Sequence, residues 1–110
     1  MTRPLRIHRL AEDELADAAS WYEDKQQGLG TSLLNLIDET VVRVRSGLLT
    51  GSVVPNVRVN GARRILLKRF PYSIVFYDRE DGLVIIAFAH TSRRPGYWRS
   101  RNPRDARSEP

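Results

Sequence analysis

Two groups of residues in the second half of the chain have side chains that could do chemistry. Arg63, Arg64, Lys68 and Arg69 fall in the run RRILLKRFPYSIVFY, and His90, Arg93, Arg94, Tyr97 and Trp98 in the run HTSRRPGYW. Guanidinium offers planar, paired donors that match phosphate or carboxylate, where an ammonium is only a point charge. Sixteen of the eighteen basic residues are Arg, so the expected partner is anionic. Imidazole as a group can gain or lose a proton near neutral pH, so His90 could act as a general acid or base, or serve as a hydrogen-bonding residue at a strand end. The Tyr97-Trp98 pair, flanked by Arg93, Arg94 and Arg99, could stack on a base, rest on the core or dock a partner helix.

The charge is divided along the chain. Residues 1–57 hold six basic and eight acidic residues, net −2, whereas residues 58–110 hold twelve and five, net +7, giving +5 in all. With 110 residues, 41% of them hydrophobic, the chain suits one domain with a modest core. No apolar run reaches the roughly 18 residues that span a bilayer, and the N-terminal segment lacks the apolar core of a secretory signal, so a cytoplasmic protein is expected. There is no cysteine and there are only two histidines, His8 and His90. Neither a disulfide framework nor a metal or other cofactor is expected. Asp78, Glu80 and Asp81 read as loop solvation rather than a metal cluster.

The elements that must position these residues follow from periodicity. Leu5–His8 alternates as a short strand, and Ala11-Glu12-Asp13-Glu14 opens a helix with acids where its dipole favours them. Leu15, Ala18, Ala19 and Tyr22 continue that helix to about Gln27, with Trp21 and Tyr22 expected to pack inward; Gly28-Leu29-Gly30 then breaks it. Leu33, Ile37, Thr40, Val41, Val44 and Leu48 mark a second helix, antiparallel to the first. Gly47–Asn56 reads as a loop. Period-two patterning then predicts strands over 63–70, 72–77 and 83–90. Ile65 and Leu67 lie on one face of the first of these and Arg64, Leu66, Lys68 and Phe70 on the other; a five-residue loop, 78–82, separates the last two. The predicted fold is α+β, β-α-α-β-β-β, with the helical hairpin on one face of a small antiparallel sheet. Residues 1–98 form the domain, and RSRNPRDARSEP, residues 99–110, is expected to be a disordered basic tail.

In that order, ELADAASWYEDKQQGLG (14–30), RRILLKRFPYSIVFY (63–77) and HTSRRPGYW (90–98) make the chain resemble the RelE/ParE superfamily of toxins from bacterial type II toxin–antitoxin modules, over residues 5 to 98. The resemblance implies one of two activities. RelE-branch members are small metal-independent ribonucleases that cut mRNA on the ribosome; ParE-branch members poison DNA gyrase. It also implies silencing by a cognate antitoxin, whose disordered segment would dock as a helix in a groove or a strand on an edge.

Cleavage of RNA without metal needs a base, an acid and cations around the developing phosphorane. The RelE branch supplies cations at two alternating positions of the second strand, an arginine early in the third, an arginine after the fourth and a tyrosine near the end. Carried over, Arg64 matches the first position, but Leu66 and Ser73 occupy the next two. Arg93 or Arg94 and Tyr97 match the last two, with His90 a further candidate and Lys68 a possible substitute for Leu66. At about 3 kcal/mol per charge-stabilising group, two losses lower the rate by about four powers of ten. The chain is therefore read as closer to ParE, with Arg63, Arg64, Lys68, Arg69, Arg93, Arg94, Tyr97 and Trp98 as a target-binding set.

Overall fold

The computed structural model describes residues 3–54 and 61–108. Strand β1 (Leu5–His8) runs straight into helix α1 (Arg9–Lys25), and α2 (Leu29–Arg45) follows. A two-residue strand β2 (Ser52–Val53) precedes β3 (Ala62–Leu66), β4 (Tyr72–Arg79) and β5 (Gly82–His90). A 3-10 turn (Pro103–Asp105) and β6 (Ala106–Ser108) close the chain. The expected α+β plan, a helical hairpin against one face of a sheet, is the one observed.

Hydrogen-bond capping sets the helix ends. His8, extended at φ −62° and ψ 139°, caps α1 by accepting the Leu10 N–H at Nδ1, 3.1 Å away. The break between helices, residues 26–28, falls two residues earlier than the glycines suggest, and Glu23 of α1 caps α2 from outside. Its carboxylate accepts the N–H groups of Gly28 and Gly30 at 2.8 and 3.0 Å, which holds its pKa below the usual carboxylate range. Gly30 also sits where the helices touch, since a Cβ there would lie 2.4 Å from the Ala19 carbonyl oxygen. Leu33, Ile37, Thr40 and Val44 are buried as the periodicity predicts, while Leu48 lies past the end of α2 and is exposed.

The sheet is mixed rather than wholly antiparallel. Its order is β2-β3-β4-β5-β1-β6, and β1 inserts parallel to β5, with Leu5, Arg6 and Ile7 opposite Leu83, Val84 and Ile85. The β4–β5 hairpin is tighter than expected: Arg79 pairs with Gly82, leaving two residues in the turn. β3 ends at Leu66, short of its expected end, and the chain turns through Arg69 at φ 74°. That turn drops Phe70 into the helix-side core instead of onto the face of Arg64. Trp21 is also not packed inward: it is 55% exposed, with half-buried Tyr22 between it and Phe70, ring centroids 5.0 Å apart on each side.

Two cores sandwich the sheet. Leu33, Phe76, Phe88 and their neighbours fill the helix side; Val75, Tyr77, Val84, Ile86, Ala87 and Trp98 fill the other. Each Val, Leu, Ile or Phe among them contributes roughly 1.5–3 kcal/mol by leaving water. A register shift between Val75 and Phe76 makes a bulge in β5, so consecutive Ile86 and Ala87 both serve the second core.

The sequence reading makes residues 99–110 disordered, and the structure overturns this as far as Ser108. β6 pairs antiparallel with β1, Arg6 opposite Ser108 and His8 opposite Ala106. The cause is polar rather than apolar. β1 gives way to α1 after His8, so β5 beyond Ile85 has no β1 neighbour, and Ile86 and Phe88 need other partners for their backbone groups. Arg101 Nη1 donates to the Ile86 carbonyl at 3.1 Å, and the Phe88 N–H donates to Glu14 Oε1 at 3.1 Å. Arg101 also grips the Glu14 carboxylate through both terminal nitrogens, at 2.7 and 3.0 Å. Both side chains are largely buried, 12% and 18% exposed.

Glu14→Gln leaves Arg101 buried without its counter-charge, and a cost of about 3 kcal/mol is expected in the denaturant midpoint of the whole domain. A midpoint unchanged from wild type would show the pair to be superficial. His8 gives a second expectation. It is 1% exposed, its Nε2 has no hydrogen-bond partner among the described residues, and Asp105 Oδ2 is 3.8 Å away. Burial first, then the Arg101 charge, push its pKa below the ordinary value of 6.5, against the upward pull of Asp105 and Glu14. A histidine depressed in the folded state contributes stability that is present above 6.5 and lost as pH falls through the lowered value. Urea unfolding between neutral pH and pH of about 5 should therefore show a steeper loss for wild type than for His8→Asn, which keeps a capping oxygen but does not titrate there.

Candidate functional site

The face of the sheet away from the helices holds a cleft of about 530 Å³, between β3, β4 and the end of β5 on one side and the 91–98 segment on the other. Strand register builds its floor. Leu66 pairs with Ser73 and Ser73 with Ala89, a row across three strands, with Arg64 and Val75 in the next row on the same face. The two positions that lack the expected cations are thus direct neighbours. Where the resemblance implies positive charge, the floor is a leucine, 64% exposed, beside a serine.

The opposite wall carries Arg93, Arg94 and Tyr97, with His90 where β5 leads into it. His90 sits at the end of β5, its Nδ1 accepting the Ser92 N–H at 3.0 Å and lying 2.7 Å from the Ser92 hydroxyl. Its ring stands edge-on to Tyr72, centroids 5.0 Å apart. Arg93 lies over the Tyr97 ring, 3.9 Å from its centroid, with Arg101 5.2 Å from the same ring. Trp98 is 3% exposed, and so rests on the core.

Tyr97 is held where proton chemistry is hard. Its hydroxyl donates to Glu14 Oε2 at 2.5 Å. Burial, the hydrogen bond to Glu14 and the charge of that carboxylate together raise its pKa well above that of a free phenol, outweighing the arginines nearby. A tyrosine so fixed is a poor proton acceptor. Behind it, on the helix side, a second hollow of about 550 Å³ is lined by Asp17, Trp21, Tyr22, Tyr72, Arg93 and others.

The structure therefore brings Arg64, His90, Arg93, Arg94, Tyr97 and Trp98 to one cleft and leaves three candidates outside it. Arg63 points to the other face, where it donates to the carbonyls of Thr50 and Gly51 at 2.6 and 2.9 Å and braces the loop before β2. Lys68 lies beyond the end of β3 and does not reach along the strand to stand in for Leu66. Arg69 is at the turn, its guanidinium 5.6 Å from the Phe70 ring centroid. Asp78, at the end of β4, pairs with Arg3.

Sequence reasoning missed Glu14 and Arg101. A signal for Glu14 was present: it lies three residues after Ala11 and four before Ala18, both buried, so it falls on the inward stripe of α1. A carboxylate on a buried stripe requires a partner.

The comparisons with known proteins agree. A family profile described as the ParE toxin of the type II toxin–antitoxin system parDE matches residues 5–95. The chain is 30% identical over 95 residues to Toxin ParE2 from two strains of Mycobacterium tuberculosis, covering 86% of this chain and 88% of each relative. Its fold is similar to a chain of a solved structure, "Chromosomal ParDE TA system from P. aeruginosa", with a TM-score of 0.66 and 21% identity, over 81% of this chain and 96% of that one. With the profile spanning most of the domain and the cleft short of the RelE-branch cations, the chain belongs to the ParE toxin family of type II toxin–antitoxin systems.

Proposed function

We propose that this toxin acts in the cytoplasm by binding and inhibiting DNA gyrase, without cutting RNA, and that a cognate antitoxin neutralises it. The observation that carries this reading is the pairing of Leu66 with Ser73 on the cleft floor. A phosphorane gathers charge that cations must meet at the moment of reaction. This floor offers Arg64 alone from the strands, and the wall's tyrosine is occupied by Glu14. What survives is a surface suited to grip. The gyrase target comes from the resemblance to the ParE branch. The antitoxin is supported by the family's type II toxin–antitoxin description and by the ParDE system to which the similar solved chain belongs.

A single pulse of expression, followed by parallel assays of mRNA ends and plasmid topology, tests the reading. Growth should stop with plasmids losing negative supercoils and no new mRNA ends, and co-expression of the neighbouring small coding region should restore growth. Rapid mRNA fragments that vanish in Arg64→Ala would instead establish the ribonuclease alternative.

A further inference from the structure

The arginines of this chain divide into those that are spent and those that are not. Arg3 bonds Asp78 and the Val44 carbonyl, Arg45 bonds the Arg3 carbonyl, Arg63 bonds Thr50 and Gly51, and Arg101 bonds Glu14 and Ile86. The guanidiniums of Arg64, Arg93 and Arg94 make no hydrogen bond or ion pair with other described residues, although that of Arg93 lies over the Tyr97 ring, and all three line the open-face cleft. No carboxylate lines it with them among the described residues. Between them lies an apolar floor of Leu66, Val75 and Ala89. Three guanidiniums without a carboxylate partner among the described residues, set around an apolar floor, select a ligand with both negative charge and an apolar anchor.

Nucleic acid meets the first requirement and fails on the second. Base stacking needs an open aromatic face. Here the Tyr97 ring is covered by Arg93 at 3.9 Å, and Trp98 is 3% exposed. A peptide that combines Asp or Glu with one large apolar residue fits instead. The size of the cleft speaks to its source. About 530 Å³ is a pocket for a short segment, whereas lasting neutralisation needs a footprint of roughly 1,600 Å². A local, reversible contact with the target suits it better than the long segment of a neutralising partner.

We propose that this cleft is the target-recognition site of the toxin. It takes a short acidic segment of gyrase, seating one large apolar side chain on Leu66 and its carboxylates on Arg64, Arg93 and Arg94. The proposal rests on the gyrase reading above and deepens it.

The test uses the full chain, wild type and three variants: Leu66→Met, Leu66→Glu and the double substitution Arg64→Ala with Arg94→Ala. All change exposed or half-buried positions, and thermal melts check that they fold. Each is assayed for inhibition of purified gyrase, for binding to overlapping short peptides spanning both gyrase subunits, and for binding to single-stranded DNA of matched charge. Wild type and Leu66→Met should inhibit, and should bind peptides that join acidic residues to a large apolar one. Leu66→Glu and the double variant should lose about tenfold or more in both. Inhibition undiminished in those variants would overturn the site while leaving gyrase as the target. Single-stranded DNA binding more tightly than any peptide, with the same arginine dependence, would overturn the occupant in favour of nucleic acid. Variants that inhibit gyrase normally but escape the antitoxin would assign the cleft to the antitoxin. Failure of the wild type itself to inhibit would remove the gyrase reading and this proposal together.

Discussion

The Glu14 carboxylate receives four hydrogen bonds, from the Phe88 N–H, the Tyr97 hydroxyl and two nitrogens of Arg101, and the open side of the molecule depends on it. The need arises from the shortness of β1. Three of its four residues pair with only the first part of β5 before the chain becomes α1, so the remainder of β5 would face a gap. Glu14 and Arg101 fill it with side-chain partners, an arrangement in which removing either leaves the other charge buried. The same contacts tie the 91–98 segment and the C-terminal residues to α1. One wall of the cleft is thus held from the far side of the sheet.

Much of the fold was legible because it is local. Four apolar steps at helical spacing placed α2, and alternation placed β4 and β5. The largest failure, at the C-terminus, arises because long-range polar contacts leave no periodic trace. RSRNPRDARSEP has no apolar residue but Ala106, and so reads as a tail. Its order comes from Arg101 meeting Glu14, 87 positions away, and from β6 joining β1. The parallel insertion of β1 beside β5 was hidden because alternation within a strand does not say which strand it pairs with. Arg63 and Arg64 look alike in sequence, yet adjacent strand positions face opposite ways, and one braces a loop while the other faces the cleft. Lys68 and Phe70 were misplaced because the chain leaves the strand at Leu66, through a positive φ at Arg69 that no residue type announces.

The cleft itself was half legible. Carrying family positions onto the chain singled out Leu66 and Ser73, and the register then made them neighbours. The geometry adds that Tyr97, present in the sequence as an apparent catalytic match, is bonded to Glu14 instead. A residue type at the right position is therefore a weaker warrant than the partner it has. Arginine shows the same division: Arg63 and Arg101 are bonded to the protein and brace it, whereas Arg64, Arg93 and Arg94 line the cleft and bear on what it can hold.

Binding rather than RNA cleavage requires that Tyr97 be withheld from proton transfer, and its ionisation tests this directly. NMR of ring-labelled tyrosine, with Tyr97→Phe to assign the signal, follows each phenol through an alkaline titration. Tyr97 is expected to stay neutral after passing the ordinary tyrosine value of 10, held there by burial and by Glu14. Ionisation at or below that value would mean that the hydroxyl is available for catalysis and would contradict the account.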